Sequence, residues 1–194
     1  MGASFGVLAE RLFDDLEMHR TYVDVPAAEM NSYAWGYSRD GKPVRVSRAL
    51  LADEAYGVKS NAVDMIRFLE VNMGIGSVPE KVARSVRATQ TGYFRSGELT
   101  QDLIWEQYPY PVALDAFIAG NTMNQKAHPA TAIDPPLAPQ RDVIVNKTGS
   151  TFGFGAYVAF VPGRKIGIVM LANKAYPNEA RVKAAHRVLS RLTE

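Results

Sequence analysis

The chain has 194 residues, of which 47% are hydrophobic and 22% charged, the composition of a globular protein long enough for one sizeable core. Its net charge of +2 comes from 22 basic and 20 acidic residues, too balanced to give the single-sign field that gathers nucleic acid or membrane phosphates. No Cys is present, which removes disulfides, thiolate metal sites and Cys nucleophiles from consideration and leaves the redox compartment open.

The opening residues carry no basic stretch followed by a long apolar run, so no secretory signal is expected in the chain as given. No segment is long enough to span a bilayer, and Gly6 stands where a myristoylation motif requires Ser or Thr. A single domain over 1–194 is the default expectation.

Ser4 is placed to cap a first helix in which Phe5, Leu8, Ala9, Leu12, Phe13 and Leu16 recur at helical spacing. Residues 21–59 are rich in aromatics, Pro and Gly with little sustained period. They read as a long ordered loop with short strands, bordering whatever site exists or serving as a plain structural excursion. A helix starting at Ser60 and running through Val63, Ile66, Leu69 and Met73 ends at Gly74. Ser77-Val78-Pro79-Glu80 reads as a capping box opening a further helix toward Thr89. The stretch 120–142, with four prolines, reads as a second surface loop.

From 143 to 194 the pattern predicts a strand meander and a closing helix. Val143–Val145, Phe154–Val161 and Ile166–Leu171 are apolar and β-favouring, separated by turn residues. The last run is apolar on both faces, which suits a strand covered on both sides. The closing helix starts near Pro177 and sets Val182, Ala185, Leu189 and Leu192 on one face.

Chemistry concentrates at Asn146-Lys147-Thr148-Gly149-Ser150-Thr151-Phe152-Gly153-Phe154-Gly155. A Lys, hydroxyls and glycines at a strand end entering a turn can hold an oxyanion or carboxylate, because the strand end supplies N–H donors and the Lys supplies charge. The same residues also suit a hairpin corner. A phosphate loop is excluded because its glycines precede the Lys, and a dinucleotide fingerprint fails at Val158. His19, His128 and His186 are scattered without metal-ligand spacing, and acidic pairs such as Asp14-Asp15 and Asp53-Glu54 sit near helix ends, so neither a metal site nor glycosidase chemistry is expected. No cofactor is implied.

Tyr33-Ala34-Trp35-Gly36-Tyr37, Glu54-Ala55-Tyr56-Gly57-Val58-Lys59-Ser60, Asn146 to Thr151, Gly153 to Phe160 and Gly167 to Asn178 together resemble class C serine β-lactamases, in family order and with near-family spacing. A lone Lys-Thr-Gly is shared across serine β-lactamases and penicillin-binding proteins; the joint set is far more specific. The resemblance implies a mixed α/β (α+β type) fold, an antiparallel sheet flanked by helices, incomplete here and lacking its helical partner region. It implies that Lys147 supplies charge beside the catalytic centre, Thr148 bonds the substrate carboxylate, and the Ser150 backbone N–H forms half of an oxyanion hole. Tyr56 would line the pocket, with Asn178 and Arg181 near the carboxylate end of the substrate. On the residues alone, Asn178 reads equally as a helix start, Arg181 as a solvated helix charge and Tyr56 as loop packing.

The departures are as informative. The family attacks with the Ser of a Ser-x-x-Lys motif, and no Ser here has Lys three positions later; the only Tyr-x-Asn, Tyr176-Pro177-Asn178, belongs to a late family segment. The resemblance therefore implies a chain beginning downstream of both motifs, with a periplasmic parent. Phe152 occupies a position usually small or amide, crowding the site mouth, and the run Gln101 to Glu106 lacks the glycines common before that Trp. The expected partners are β-lactam small molecules, with no nucleic acid and no membrane, and exposed apolar surface favours homo-oligomers or strand exchange. Three functions compete: a lactam hydrolase whose nucleophile lies outside this chain, a non-catalytic lactam- or protein-binding module, and a related serine esterase or D-alanyl peptidase.

Overall fold

The computed structural model describes residues 2–122 and 127–192. Six helices and nine strands run in the order α1 (Phe5–Asp15), β1 (Gly36–Tyr37), β2 (Pro43–Val44), α2 (Ala52–Ala55), α3 (Ala62–Asn72), α4 (Glu80–Ala88), β3 (Gly92–Ser96), β4 (Leu99–Asp102), β5 (Glu106–Pro109), α5 (Leu114–Gly120), β6 (Thr131–Leu137), β7 (Val143–Ser150), β8 (Gly155–Val161), β9 (Ile166–Ala172) and α6 (Asn178–Arg191) among these residues. Seven strands form one antiparallel sheet in the order β6-β3-β4-β5-β7-β8-β9, and β1 with β2 makes a separate two-stranded ribbon.

Helices cover both faces of the sheet at β8, the strand next to the β9 edge. In β8, Tyr157, Ala159 and Val161 pack with Val182, Ala185 and Leu189 of α6 and with Ile144, Tyr108 and Phe117. Val158 and Phe160 point the other way, onto Leu69 of α3, Trp105 and Val145. Period-two alternation on a strand sandwiched between helices explains why both sets are apolar. β9 follows the same rule, with Ile166, Ile168 and Met170 toward α6 and Val169 toward α3.

The first helix forms as expected, Ser4 Oγ accepting from the Val7 N–H. Three expectations are corrected. The α3 cap is Asn61, whose side chain accepts from the Asp64 N–H, and the helix is turned from the anticipated face: Val63 is 76% and Ile66 51% exposed, while Leu69 is buried and Met65, Phe68 and Met73 pack beside it. Both stripes have helical spacing; the sheet surface selects between them. α4 starts at Glu80 with Pro79 as its cap residue and no side-chain cap bond, and the Ser77 carbonyl instead accepts from Arg67 Nη2 at 3.1 Å. The stretch 120–142, expected as a loop, contains β6, although residues 123–126 of it lie outside those described. Prolines 135 and 136 are compatible with a strand here because β6 is an edge, paired on one side to β3.

Residues 21–59 are ordered by contacts at both ends. Tyr22 and Lys59 exchange backbone bonds of 2.9 and 2.8 Å, closing the loop at its base. At its far end the Arg45 guanidinium lies 3.9 Å from the Tyr33 ring centroid and 4.3 Å from that of Trp35, a cation held between two aromatic faces.

Candidate functional site

β7 is longer than the strand beside it. β5 pairs with residues 143–146 only, so Lys147 to Ser150 run past the end of β5 while still pairing with β8 on the other side. Backbone direction follows from two bonds: Asp142 O accepts from the Tyr110 N–H on the β5 side, and the Thr151 N–H donates to Phe154 O on the β8 side. In an antiparallel ladder the direction alternates residue by residue, so the N–H groups of Thr148 and Ser150 face the open edge where β5 has ended. Two outward peptide donors, one ammonium and two hydroxyls thus line one strand edge.

That edge borders a cleft of about 340 Å³, lined among the described residues by Glu106, Gly120, Asn121, Thr122, Lys147, Thr148, Gly149, Ser150 and Asn178. Asn178 reaches it as the first residue of α6. Below the edge, Asn146 is fully buried, its Nδ2 donating to Glu106 O at 2.8 Å and its Oδ1 accepting from the Tyr157 hydroxyl at 3.2 Å. Burial pushes the Tyr157 phenol far above its ordinary pKa, with Tyr108 and Glu106 adding to the effect, so it acts as a fixed donor.

Sequence reasoning missed Glu106. Its Oε1 accepts from Lys147 Nζ at 3.0 Å, with Lys147 39% and Glu106 18% exposed in their side chains. The signal lay in the strand pairing, which sets Glu106 opposite Asn146; no local motif announces it.

A second cleft of about 490 Å³ shares Ser150 with the first and is lined by Val44 to Ser47, Tyr56 and Thr151 to Phe154. Tyr56 therefore stands on the far side of Ser150 from Lys147, 40% exposed, its hydroxyl donating to Ser47 O at 3.4 Å. Phe152 is 77% exposed at this second mouth. The loop and the hairpin meet at two glycines. A Cβ on Gly36 would come within 2.6 Å of Gly153 O, and one on Gly153 would collide with the Val44 side chain and approach the Gly36 carbonyl carbon to 3.2 Å.

The structure brings together Lys147, Thr148, Ser150 and Asn178, with Tyr56 adjacent. Arg181 is placed differently. It is 1% exposed, and its Nη1 donates to Gly149 O and Ala156 O, both at 2.7 Å, while Nη2 donates to Ser150 Oγ at 2.7 Å and Tyr176 O at 3.0 Å. It backs the hairpin from behind, its two Nη groups engaged with protein acceptors and its Nε without one, and it is absent from the lining of either cleft.

Comparison with known proteins fits this geometry. The β-lactamase family profile matches residues 2–193. A β-lactamase of Pseudomonas fluorescens is 45% identical over 197 residues, covering 100% of this chain and 55% of the relative. A class C β-lactamase solved in complex with cefoxitin superposes with a TM-score of 0.95 at 50% identity, over 98% of this chain and 54% of that one. A D-alanine carboxypeptidase of Burkholderia cenocepacia gives a TM-score of 0.94 at 54% identity, over 97% and 55% of the two chains. The chain spans about half the length of the relatives it matches. The match over residues 2–193, with the Lys-Thr-Gly strand edge at its cleft, places this chain in the β-lactamase family, in its class C branch.

Proposed function

We propose that this chain supplies the Lys-Thr-Gly wall of a β-lactam-binding cleft and that, by itself, it does not turn lactams over. One observation carries the reading: Lys147, Thr148 and the outward N–H of Ser150 lie along a single open strand edge beside a cleft sized for a small molecule. In this reading Lys147 and Thr148 receive the ligand carboxylate together with Asn178. The Ser150 N–H points at the lactam carbonyl oxygen, where negative charge grows as the carbonyl becomes tetrahedral. Tyr56 borders the adjoining cleft that takes the rest of the ligand. The cefoxitin complex of a relative supports a β-lactam as the ligand class.

Inactivity follows from chemistry. Acyl transfer needs nucleophile, base and oxyanion donors acting as one unit, and the 194 residues contain no Ser-x-x-Lys. A carboxylate adjoining an acyl carbonyl also describes a D-alanyl peptide, and the likeness to a solved D-alanine carboxypeptidase supports that second reading.

Two measurements test the proposal. Cefoxitin added to the isotopically labelled chain is expected to shift the amide resonances of Thr148, Ser150 and Asn178, with the shifts lost in Lys147→Ala; shifts confined elsewhere would overturn the binding assignment. Nitrocefin is expected to remain intact, and turnover that disappears in Lys147→Ala would show that a nucleophile exists among these residues.

A further inference from the structure

Among the described residues lining the first cleft, only Lys147 and Glu106 are ionisable, and they are already joined at 3.0 Å. The Arg181 guanidinium lies behind Ser150 and outside the lining, bonded to four neutral acceptors, so its charge acts from behind the strand on every ligand alike. The lining that presents an anion site therefore carries no uncompensated positive charge. The Glu106 side chain is only 18% exposed, and its backbone is fixed in the β5–β7 ladder, where its carbonyl accepts from the buried Asn146 amide.

We infer that Glu106 sets the anion selectivity of this cleft: by pairing with Lys147 it holds small free anions at low affinity and reserves binding for a carboxylate-bearing ligand that also engages Thr148 and Asn178. The inference rests on the reading of the cleft as a carboxylate site. An entering anion meets attraction from Lys147 and repulsion from Glu106 at nearly the same distance, and the two largely cancel. Discrimination between one anion and another must then come from short-range donors. Thr148 Oγ1, the outward peptide N–H groups and the Asn178 amide act only on a ligand shaped to reach several of them at once. A lone acetate reaches too few, whereas a cephalosporin carboxylate arrives tethered to a scaffold that fills the cleft. Selectivity of this kind comes from penalising the wrong ligand as much as from binding the right one.

The test is a pair of amide-shift titrations of the 194-residue chain at low salt, with sodium acetate and with cefoxitin as probes. The chains compared are the parent, Glu106→Gln, Glu106→Met and Lys147→Ala. Glu106→Gln is expected to tighten acetate binding at Thr148 and Ser150 roughly fivefold, the scale of one partly exposed charge, with a smaller gain for cefoxitin, so that the preference for cefoxitin shrinks. Glu106→Met removes the same charge with different packing and is expected to act in the same direction. Unchanged preference in Glu106→Gln, with cefoxitin binding still abolished in Lys147→Ala, would overturn the role of Glu106 while leaving the cleft assignment standing. A gain seen in Glu106→Met alone would trace the effect to packing and overturn the role equally. Cefoxitin binding that survives Lys147→Ala would remove the carboxylate site itself and the inference with it.

Discussion

Arg181 and Ser150 are joined by a 2.7 Å hydrogen bond from Nη2 to Oγ, and the same guanidinium grips both strands of the β7–β8 hairpin through Gly149 O and Ala156 O. One α6 side chain thus fixes the strand end whose peptide groups face the cleft. Replacing Arg181 with Met is expected to cost about 2–4 kcal/mol, because it strands buried acceptors that the guanidinium now satisfies. Thermal unfolding of Arg181→Met and Arg181→Lys checks this. The Lys variant is expected to recover only part of the loss, since one ammonium has no planar fork to span four acceptors.

Asp102 gives a prediction in pH. It is 2% exposed, neither carboxylate oxygen has a partner in hydrogen-bond geometry, and burial pushes its pKa up to about 7 against the opposing pull of the neighbouring Gln107 amide. The folded value lies above the ordinary 3.8, so the native state holds the proton more tightly than the unfolded chain does. Its contribution to stability is therefore greatest below pH 3.8 and is lost as pH rises to about 7. Asp102→Asn is expected to be more stable than the parent at pH 8, by an amount on the order of 3 kcal/mol, with the difference closing by pH 4. Denaturant melts at the two pH values would decide it; parallel curves for parent and variant would contradict the account.

Phe152 offers a test in which stability and binding separate. Its ring is largely exposed, so Phe152→Ser is expected to change stability by no more than about 0.5 kcal/mol. At the second cleft it removes bulk from the mouth beside Tyr56, and cefoxitin is expected to bind more tightly. Weaker binding would mean that the ring packs against the ligand instead of obstructing it.

Gly153 tests how the loop is seated. An added methyl collides with Val44, so Gly153→Ala is expected to cost about 1–3 kcal/mol. Val44→Ala makes room, and a double-mutant cycle is expected to show favourable coupling between the two substitutions. Additive losses would place the strain against the Gly36 backbone instead.

Where the sequence could be read and where it could not follows from burial. The β7–β8–β9 meander and α6 were legible because Tyr157 to Val161 form an unbroken apolar, β-favouring run and Val182, Ala185 and Leu189 keep helical spacing on a buried face. β3, β4 and β5 were not, because polar residues occupy their inward positions. Thr100, Asp102 and Gln107 are all buried, which inverts the binary pattern a strand is read by, while Tyr93 and Phe94 of β3 are exposed. The missing glycines between Gln101 and Glu106 were visible as a departure, but the burial of the Asp102 carboxylate required the fold. The Lys-Thr-Gly edge was legible as a motif. Glu106 was not, because its partner stands 41 positions away and only the β5–β7 register joins them. Arg181 was named from the resemblance, but its four bonds to the hairpin and to Tyr176 O required the fold.

The alternation of β7 has a consequence for how this site tolerates change. At position 150 the group facing the cleft is a peptide N–H, which every amino acid except proline possesses. Divergent sequences can therefore carry Ser, Ala, Gly or Asn there with the donor intact, and side-chain identity at 150 is a poor guide to whether the site survives. A single inserted residue between Asn146 and Ser150 does the reverse: it leaves the composition almost untouched and turns the donors toward β8, out of the cleft.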